Sequence, residues 1–205
     1  MRIMTCNIWG DYFHNPVEAR MGGFVTLFSD TAPDIVGFQE CTDGWYRSGF
    51  FDAVSDRYAV YSLTEHNYTP ILLKKERFSL IECGFRLYSE TPDPSKGYTY
   101  LVLHDRPGGK TLGIINTHFW WKSGEEHDRI RCRNARELAA CAQNIVRGND
   151  CPVYAFGDFN CLYHSEPFRV LFSEGFTHTA DIAAFSDTVS SHHGDPILGS
   201  DGLWH

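Results

Sequence analysis

Apolar and polar residues alternate in the first segment of the chain. From Arg2 to Ile8 apolar side chains recur at every second position, and the turn residues Gly10 and Asp11 follow. A period of two is that of a β-strand with one buried face. The pattern therefore predicts a strand over residues 2–8.

Two longer segments have a helical period. The first has apolar residues at i, i+4, i+7, i+8 and i+11, namely Val17, Met21, Phe24, Val25 and Phe28. Asn15 and Pro16 resemble an N-cap and a first helical residue, and we expect this helix to end before Pro33. A second apolar stripe predicts a helix from Arg131 to Gly148, where the glycine favours termination. A short helix is predicted over residues 166–173.

Short apolar runs bounded by turn residues predict the remaining strands. They are expected at residues 35–39, 58–63, 70–74, 98–103, 111–116 and 153–157. Hairpin-like strand pairs are thus mixed with two helical crossovers. This order favours an α+β sandwich with helices outside two sheets over a repeated βαβ fold. Since no linker or repeat interrupts the 205 residues, we expect a single domain over residues 1–205.

Composition excludes several classes of protein. The 18 basic and 26 acidic residues give a net charge of −8, which argues against nucleic-acid binding through a broad basic surface. An aromatic content of 15% with 21% charged residues excludes a disordered or coiled-coil chain. No window approaches the ~18 unbroken apolar residues of a membrane span, so no span is predicted.

The cysteines and the first residues bear on the compartment. Seven cysteines, an odd number, are never closer than nine positions, which favours neither a disulfide framework nor a CxxC zinc site. The first residues have no signal-peptide pattern. We therefore expect a cytoplasmic protein whose thiols are reduced and mostly buried.

Polar side chains follow several predicted strands at the point where each ends. They are Asn7, Glu40, His118, Asp158 and Asn160. Taken singly, each has an ordinary structural explanation: a solvated turn residue, a packed histidine at the edge of the core, or a plain Asp/Asn turn. Strand ends on one rim of a sheet can nevertheless converge, and such rims often carry functional sites. Five such positions in one chain are harder to explain by turns alone.

Four segments occur in an order that resembles a known family. "MTCNIWG", "PDIVGFQE", "INTHFWW" and "GDFN" together resemble the endonuclease/exonuclease/phosphatase family of metal-dependent phosphohydrolases. Residues 70–78 resemble the central strand of that family, and residues 131–138 resemble its Arg-x-x-Gln-Ala helix. The resemblance implies an α+β, four-layer α/β sandwich. Two mixed, mostly antiparallel sheets would pack face to face, with helices on the outside.

The resemblance also implies roles for the residues at the strand ends. Glu40 matches the principal ligand of Mg²⁺ or Mn²⁺, and Asn7 matches an asparagine that supports this ligand or the attacking water. Asp158 matches an aspartate that orients or deprotonates the water, or takes a second metal. Asn160 matches an amide donor to a phosphate oxygen, and His118 matches the imidazole that binds the phosphoryl group. In-line attack on phosphate requires a cation, a positioned water and such donors.

One departure from the family pattern lies before the central strand. Many relatives have there a glutamate that pairs with the histidine, whereas this chain has Asn67, preceded by Glu65 and His66. Asn67 could still accept a hydrogen bond from His118, and we expect it among the substrate-binding residues with His118 and Asn160. A neutral amide would stabilise the imidazolium less than a carboxylate does.

A second departure lies at the end of the sequence. The Ile-Asp strand and Ser-Asp-His triplet of the family do not occur before His205, so we expect a C-terminally truncated domain that lacks the last strands. Such a fragment should be less active and more prone to associate than a longer reading frame. His192, His193 and His205 are interpreted as solvated loop residues, with contact to substrate or an adventitious metal as the alternative.

The leading hypothesis is a cytoplasmic, Mg²⁺- or Mn²⁺-dependent hydrolase of phosphoesters. A small-molecule or lipid-headgroup substrate is favoured because the charge of −8 repels a polyanion, although nucleic acid stays open as a substrate. A non-catalytic binding module that retains the fold and the phosphate pocket is the alternative, suggested by the absent terminal Asp/His pair. No obligate protein partner is evident from the sequence.

Overall fold

The computed structural model describes residues 1–13, 15–65 and 67–185. The chain divides into two compact units, Met1–Glu174 and Gly175–His205. In the second unit the described residues include one short helix, α6 (Thr179–Ile182). The three C-terminal histidines discussed above lie outside the described residues, and so does His66. That residues 1–205 form a single domain stays a prediction.

Eight strands of the first unit form two sheets. The first sheet has the order β1-β2-β4-β3, with strands β1 (Ile3–Asn7), β2 (Ile35–Gln39), β3 (Tyr58–Tyr61) and β4 (Ile71–Lys74). The second has the order β5-β6-β7-β8, with strands β5 (Phe78–Leu87), β6 (Gly97–Asp105), β7 (Lys110–His118) and β8 (Val153–Asp158). Only β1 and β2, and β7 and β8, pair in parallel. The prediction of two mixed, mostly antiparallel sheets is confirmed.

Helices cover the outer faces of both sheets. They are α1 (Glu18–Thr31), α2 (Asp43–Arg47), α3 (Phe50–Val54), α4 (Glu125–Asn149) and α5 (Glu166–Ser173). Side chains of α1, α2 and α3 share a core with the first sheet, whereas α4 contacts β7 and β8 and packs against α5. The predicted four-layer sandwich is therefore confirmed. Among the helices of the described residues, none combines the length and the apolar character needed to cross a membrane.

The two faces of β2 explain why its first four residues have no polar side chain. Val36 and Phe38 point into the core under the helices, while Ile35 lies in the second core between the sheets. Every residue of β2 is buried. Since successive side chains of a strand point to opposite faces, a strand that is covered on both sides is mostly apolar, and the polar Gln39 at its end is hydrogen-bonded.

Some helix boundaries differ from those predicted. The first helix begins at Glu18 rather than at Pro16, and Asn15 does not cap it. Arg20 instead donates to the carbonyl oxygens of Gly10 and Asn15 and holds that segment as a loop. The helix predicted to begin at Arg131 starts at Glu125, within a polar stretch that has no apolar stripe, and it passes through Gly148 to Asn149.

Other elements were not predicted at all. The sequence does not predict strand β5, because most of its side chains are exposed or only partly buried and apolar and polar residues therefore do not alternate clearly. The helices α2 and α3 have five residues each, too few to show a period. All seven cysteines are free thiols, as predicted, but only Cys41, Cys132 and Cys151 are buried.

A buried pair of amides joins the two sheets. Gln39 of β2 donates from Nε2 to Oδ1 of Asn116 on β7, at 2.6 Å. The Asn116 Nδ2 in turn donates to the carbonyl oxygens of Phe38 (2.7 Å) and Pro70 (3.1 Å). A Cβ atom at Gly37 would come within 2.6 Å of the Asn116 side chain, so only glycine allows this close approach.

We predict that Asn116→Leu lowers the free energy of unfolding by about 3 kcal/mol, because Gln39 and two backbone carbonyls would lose a buried partner. Asn144→Leu, on the exposed side of α4, is the matched control and should change it by less than about 0.5 kcal/mol. Urea denaturation measures both variants. Equal stability of the two would show that the amide pair contributes nothing.

Candidate active site

The register of the sheets brings the predicted strand-end residues to one side of the sandwich. Asn7 pairs with Gln39 at the end of the first sheet, which places Glu40 beside it. His118 pairs with Asp158 at the end of the second sheet. Strands β1 and β8, at the edges of the two sheets, are in contact. The expected convergence therefore occurs.

Asn7 connects the two carboxylates of the site. Its Nδ2 donates to Glu40 Oε1 and to Asp158 Oδ2, each at 2.9 Å. Its Oδ1 accepts from the backbone N–H of Trp9 at 3.0 Å, which fixes the orientation of the amide. The nitrogen of Asn7 therefore faces the carboxylates, where its hydrogens reduce their mutual repulsion.

Glu40 is held by a second contact that the sequence did not reveal. The Tyr12 hydroxyl donates to Glu40 Oε2 at 2.8 Å, and burial together with the Glu40 charge raises the pKa of Tyr12. The backbone of Glu40 is left-handed, with φ 58°, which costs about 1–2 kcal/mol for a residue with a side chain. Tyr12 lies in a loop five residues beyond Asn7, and a loop tyrosine carries no distinctive signal.

The Gly-Asp-Phe-Asn segment has a specific geometry at the end of β8. Gly157 has φ 141° and lies against the backbone of Thr117, where a Cβ atom would collide. Asp158 accepts from the backbone N–H of Asn160 through Oδ1, at 2.9 Å. Asn160 donates from Nδ2 to the carbonyl oxygen of Phe119, at 3.1 Å. These bonds orient Asp158 and place the Asn160 amide beside the end of β7.

His118 is buried next to both carboxylates. Its Nε2 lies 3.7 Å from Asp158 Oδ2 and 4.0 Å from Glu40 Oε1. The Lys96 Nζ lies 3.0 Å from Nε2 and 3.2 Å from Nδ1 of the same ring. Burial and the Lys96 charge lower the pKa of His118 to about 4, although the two carboxylates oppose this shift. The imidazole is therefore neutral at pH 7.

The structure places Asn67 differently from the expected contact with His118. Its Nδ2 donates to the Ser62 carbonyl and to Thr99 Oγ1, and its Oδ1 accepts from the Thr69 backbone N–H at 2.7 Å. The side chain is thus used to build the turn that leads into β4. Within the described residues these bonds, and none to His118, are the ones that Asn67 makes, and its role in substrate binding stays a prediction.

Lys96 is the polar neighbour of His118 that sequence reasoning missed. It directly precedes β6, and its position follows from the pairing of Gly97 with His118. Only 5% of Lys96 is exposed, and this burial lowers its pKa, while Asp93, Glu40 and Asp158 act in the opposite direction. The register of β6 against β7 cannot be read from the sequence, so no signal pointed to Lys96.

The acidic residues fit a magnesium-like ion that keeps much of its water. In the part of the chain that the structure describes, no group of three or more His, Cys, Asp or Glu side chains forms a ready cation cage. Glu40 and Asp158 nevertheless share a hydrogen-bond donor and are 22% and 28% exposed. Mg²⁺ is usually bound through one or two carboxylates, water and substrate phosphate, so this pair is a suitable donor set.

The order and placement of these residues agree with a sequence comparison. A profile described as the Endonuclease/Exonuclease/phosphatase family matches residues 4–203. The chain belongs to this family. A sequence search of curated proteins found no match.

Solved structures with the same fold are distant in sequence. The catalytic domain of human nocturnin, with a bound sulfate anion, has a TM-score of 0.69 at 23% identity, over 82% of this chain and 67% of that one. A mannosyl-6-phosphatase of Bacteroides thetaiotaomicron has a TM-score of 0.70 at 18% identity, over 85% and 71%. D. rerio TDP2 with a single-strand DNA product has a TM-score of 0.66 at 18% identity, over 84% of this chain and 64% of that one. The chain spans 48–67% of the length of the TDP2 chains that it matches.

We predict that His118 reduces stability in mild acid. An unfolded histidine binds a proton below about pH 6.5, whereas the folded His118 binds one only below about pH 4. Between these values the unfolded state binds more protons, so the free energy of unfolding falls as the pH is lowered; above pH 6.5 His118 has no such effect. The slope is limited to about 1.4 kcal/mol per pH unit. The free energy of unfolding, measured in chelator, should therefore fall more steeply from pH 6.5 to 4 than it does in His118→Gln.

His104→Gln is the control, because His104 lies on the neighbouring strand β6 away from the carboxylates. The free energy of unfolding of His104→Gln should depend on pH as it does in the unsubstituted protein. Parallel stability profiles for the protein and His118→Gln would contradict the neutral, buried state of His118.

Proposed function

We propose that the protein is a Mg²⁺- or Mn²⁺-dependent hydrolase of phosphoesters. The observation that carries this proposal is the single Asn7 amide group that bonds both Glu40 and Asp158, with His118 within 4.0 Å of each carboxylate. This arrangement combines anionic oxygens for a metal with neutral donors for a phosphate. Family membership supports the same chemistry.

Glu40 and Asp158 are the residues that would hold the metal ion. When bound, the ion would supply positive charge against the phosphate oxygens and lower the pKa of a bound water. Asn7 keeps the two carboxylates together by donating to both, and Tyr12 holds the remaining oxygen of Glu40. The ligands are therefore oriented by the chain itself, as preorganised sites require.

The remaining residues act on the water and the phosphoryl group. As the alternative to holding a metal ion, Asp158 would orient the attacking water or accept its proton. Among the described residues, Asn160 uses one N–H of its Nδ2 on Phe119, which leaves the other for a nonbridging oxygen. His118, neutral at pH 7, is a hydrogen-bond donor to the same group. Donors of this kind stabilise the charge that develops during in-line attack.

A small-molecule or lipid-headgroup phosphoester in the cytoplasm is the favoured substrate. The net charge of −8 repels a polyanion at long range, which makes DNA the less favoured alternative. Among the structural relatives, the mannosyl-6-phosphatase supports a small phosphoester and the TDP2 complex supports nucleic acid. A non-catalytic binding module is disfavoured because a phosphate pocket alone does not require two adjacent carboxylates, which repel phosphate when no metal is bound.

The proposal is tested by assaying the protein on p-nitrophenyl phosphate, bis(p-nitrophenyl) phosphate and plasmid DNA. With Mg²⁺ or Mn²⁺ we expect turnover of at least one small phosphoester, and EDTA should abolish it, since the carboxylates alone cannot offset the charge of the transition state. Phosphate binding without turnover of any substrate would instead support the binding module.

Glu40→Gln should lower metal-dependent turnover by roughly 10²-fold or more while the protein stays folded, because an anionic ligand is replaced by a neutral amide of similar size. Turnover is measured over a range of Mg²⁺ concentrations, and circular dichroism checks the fold. Glu126→Gln, on the exposed first turn of α4, is the matched control and should keep full activity. An unchanged Mg²⁺ dependence in Glu40→Gln would remove Glu40 from the ligand set.

A further inference from the structure

Strand β5 forms one edge of the second sheet. It pairs with β6 on one side, and among the described residues no strand pairs with it on the other. About half of its backbone N–H and carbonyl groups therefore point outward without a partner in a ladder. With ten residues, β5 is much longer than the four-residue β3, which forms an edge of the first sheet. A long open edge of this kind is a template for another strand.

Two opposite charges lie on this edge strand, symmetrically about a glycine. Glu82 and Arg86 are exposed and point to the same face as Gly84, since successive side chains of a strand alternate. The Tyr100 hydroxyl donates to Glu82 Oε1 at 3.1 Å and orients this carboxylate. Arg86 forms no ion pair with a carboxylate in the described part of the chain. Its charge is therefore available to a second molecule.

We infer that two copies of the chain associate by pairing their β5 strands in antiparallel orientation about a two-fold axis at Gly84. Glu82 of each copy then lies opposite Arg86 of the other, and the two four-stranded sheets join into one sheet of eight strands. Since β5 ends on the side of the candidate active site, antiparallel pairing places the two sites at opposite ends of the joined sheet. The inference does not depend on the proposed function.

The charges select this register over the neighbouring ones. A two-fold axis at Glu82 would oppose two carboxylates, and an axis at Arg86 would oppose two guanidinium groups. Axes at residues 83 and 85 would leave both charged side chains opposite uncharged residues. With the axis at Gly84, each acid and base are directly opposed, with Cβ atoms about 4.5–5.5 Å apart, which is within reach of an ion pair. The glycine leaves no side chain between the copies at the axis.

Exposed apolar side chains flank the charged pairs. Ile81, where the register with β6 shifts, is 54% exposed, and Leu87 is 49% exposed. In the paired arrangement Ile81 of one copy lies next to Leu87 of the other, so both side chains lose contact with water. A ladder of this length is nevertheless a small interface. We therefore expect a reversible dimer with a dissociation constant above about 1 µM.

The alternative is that Glu82 and Arg86 protect the edge from pairing, as charged residues on edge strands do in many proteins. In that case the chain is a monomer at every concentration, and reversing either charge has no effect on association. The two readings therefore predict different oligomeric states.

The first test is sedimentation velocity of the full chain over about 1 to 300 µM. Arg86→Glu and Glu82→Arg should each weaken association by roughly 10- to 100-fold, because each replaces two attractive pairs by two repulsive ones. Lys110→Glu and Glu126→Arg are the matched controls, since they make the same changes of charge at exposed positions on other elements. Both controls should dimerise like the unsubstituted protein.

The second test mixes the two variants. The Arg86→Glu chain presents two acids to the two bases of the Glu82→Arg chain, so an equimolar mixture should form a dimer, which native mass spectrometry identifies as a heterodimer. Both changes in one chain should likewise restore the homodimer. Circular dichroism checks the fold of each variant. A monomer at all concentrations, equal dissociation constants in variants and controls, or no heterodimer in the mixture would overturn the inference.

Discussion

The hydrogen bond between Gln39 and Asn116 is the constraint on which the site depends. It crosses the interior between the two sheets, next in sequence to Glu40 on one side and two residues before His118 on the other. Both amides are almost completely buried, so a displaced partner would leave polar groups without water or protein to bond. A slip of one residue in either strand would turn these side chains to the opposite face, and the bond therefore fixes the register that brings Glu40 and His118 together.

At the opposite end of the sandwich, ion pairs rather than amide hydrogen bonds join the two sheets. Arg77 bonds Asp34, at the start of β2, and Asp105, at the end of β6, at distances of 2.8 and 2.9 Å. The apolar core lies between this ion-pair cluster and the amide bond. On the outside, helix α4 holds the segment after His118, because Asn134 and Arg131 bond the backbone N–H and carbonyl of Trp120. The strand ends of the second sheet are thus supported from both faces.

Local sequence patterns were sufficient to predict the strands that carry the candidate site residues. Strands β1, β2, β7 and β8 end within two residues of the predicted positions, next to the polar residues that the motifs contain. Contacts that depend on register or loop path were not predictable. Lys96 reaches His118 only because β6 pairs with β7 at Gly97, and Asn67 turns away because Thr69 and Thr99 use its amide. The motifs indicated that the strand-end residues converge, but they did not indicate the contacts that Lys96 and Asn67 make.

The local charge at the candidate site differs from the net charge of the protein. Glu40 and Asp158 contribute two negative charges and Lys96 one positive charge, and burial keeps His118 neutral, so the four side chains together carry one net negative charge at pH 7. A divalent cation held by the carboxylates would reverse that sign. Because the site lies partly away from water, its local charge acts on a bound phosphate more strongly than the screened net charge of the surface. The overall charge of −8 therefore limits long-range attraction of polyanions, while Glu40, Asp158 and Lys96 set the local charge at the strand ends.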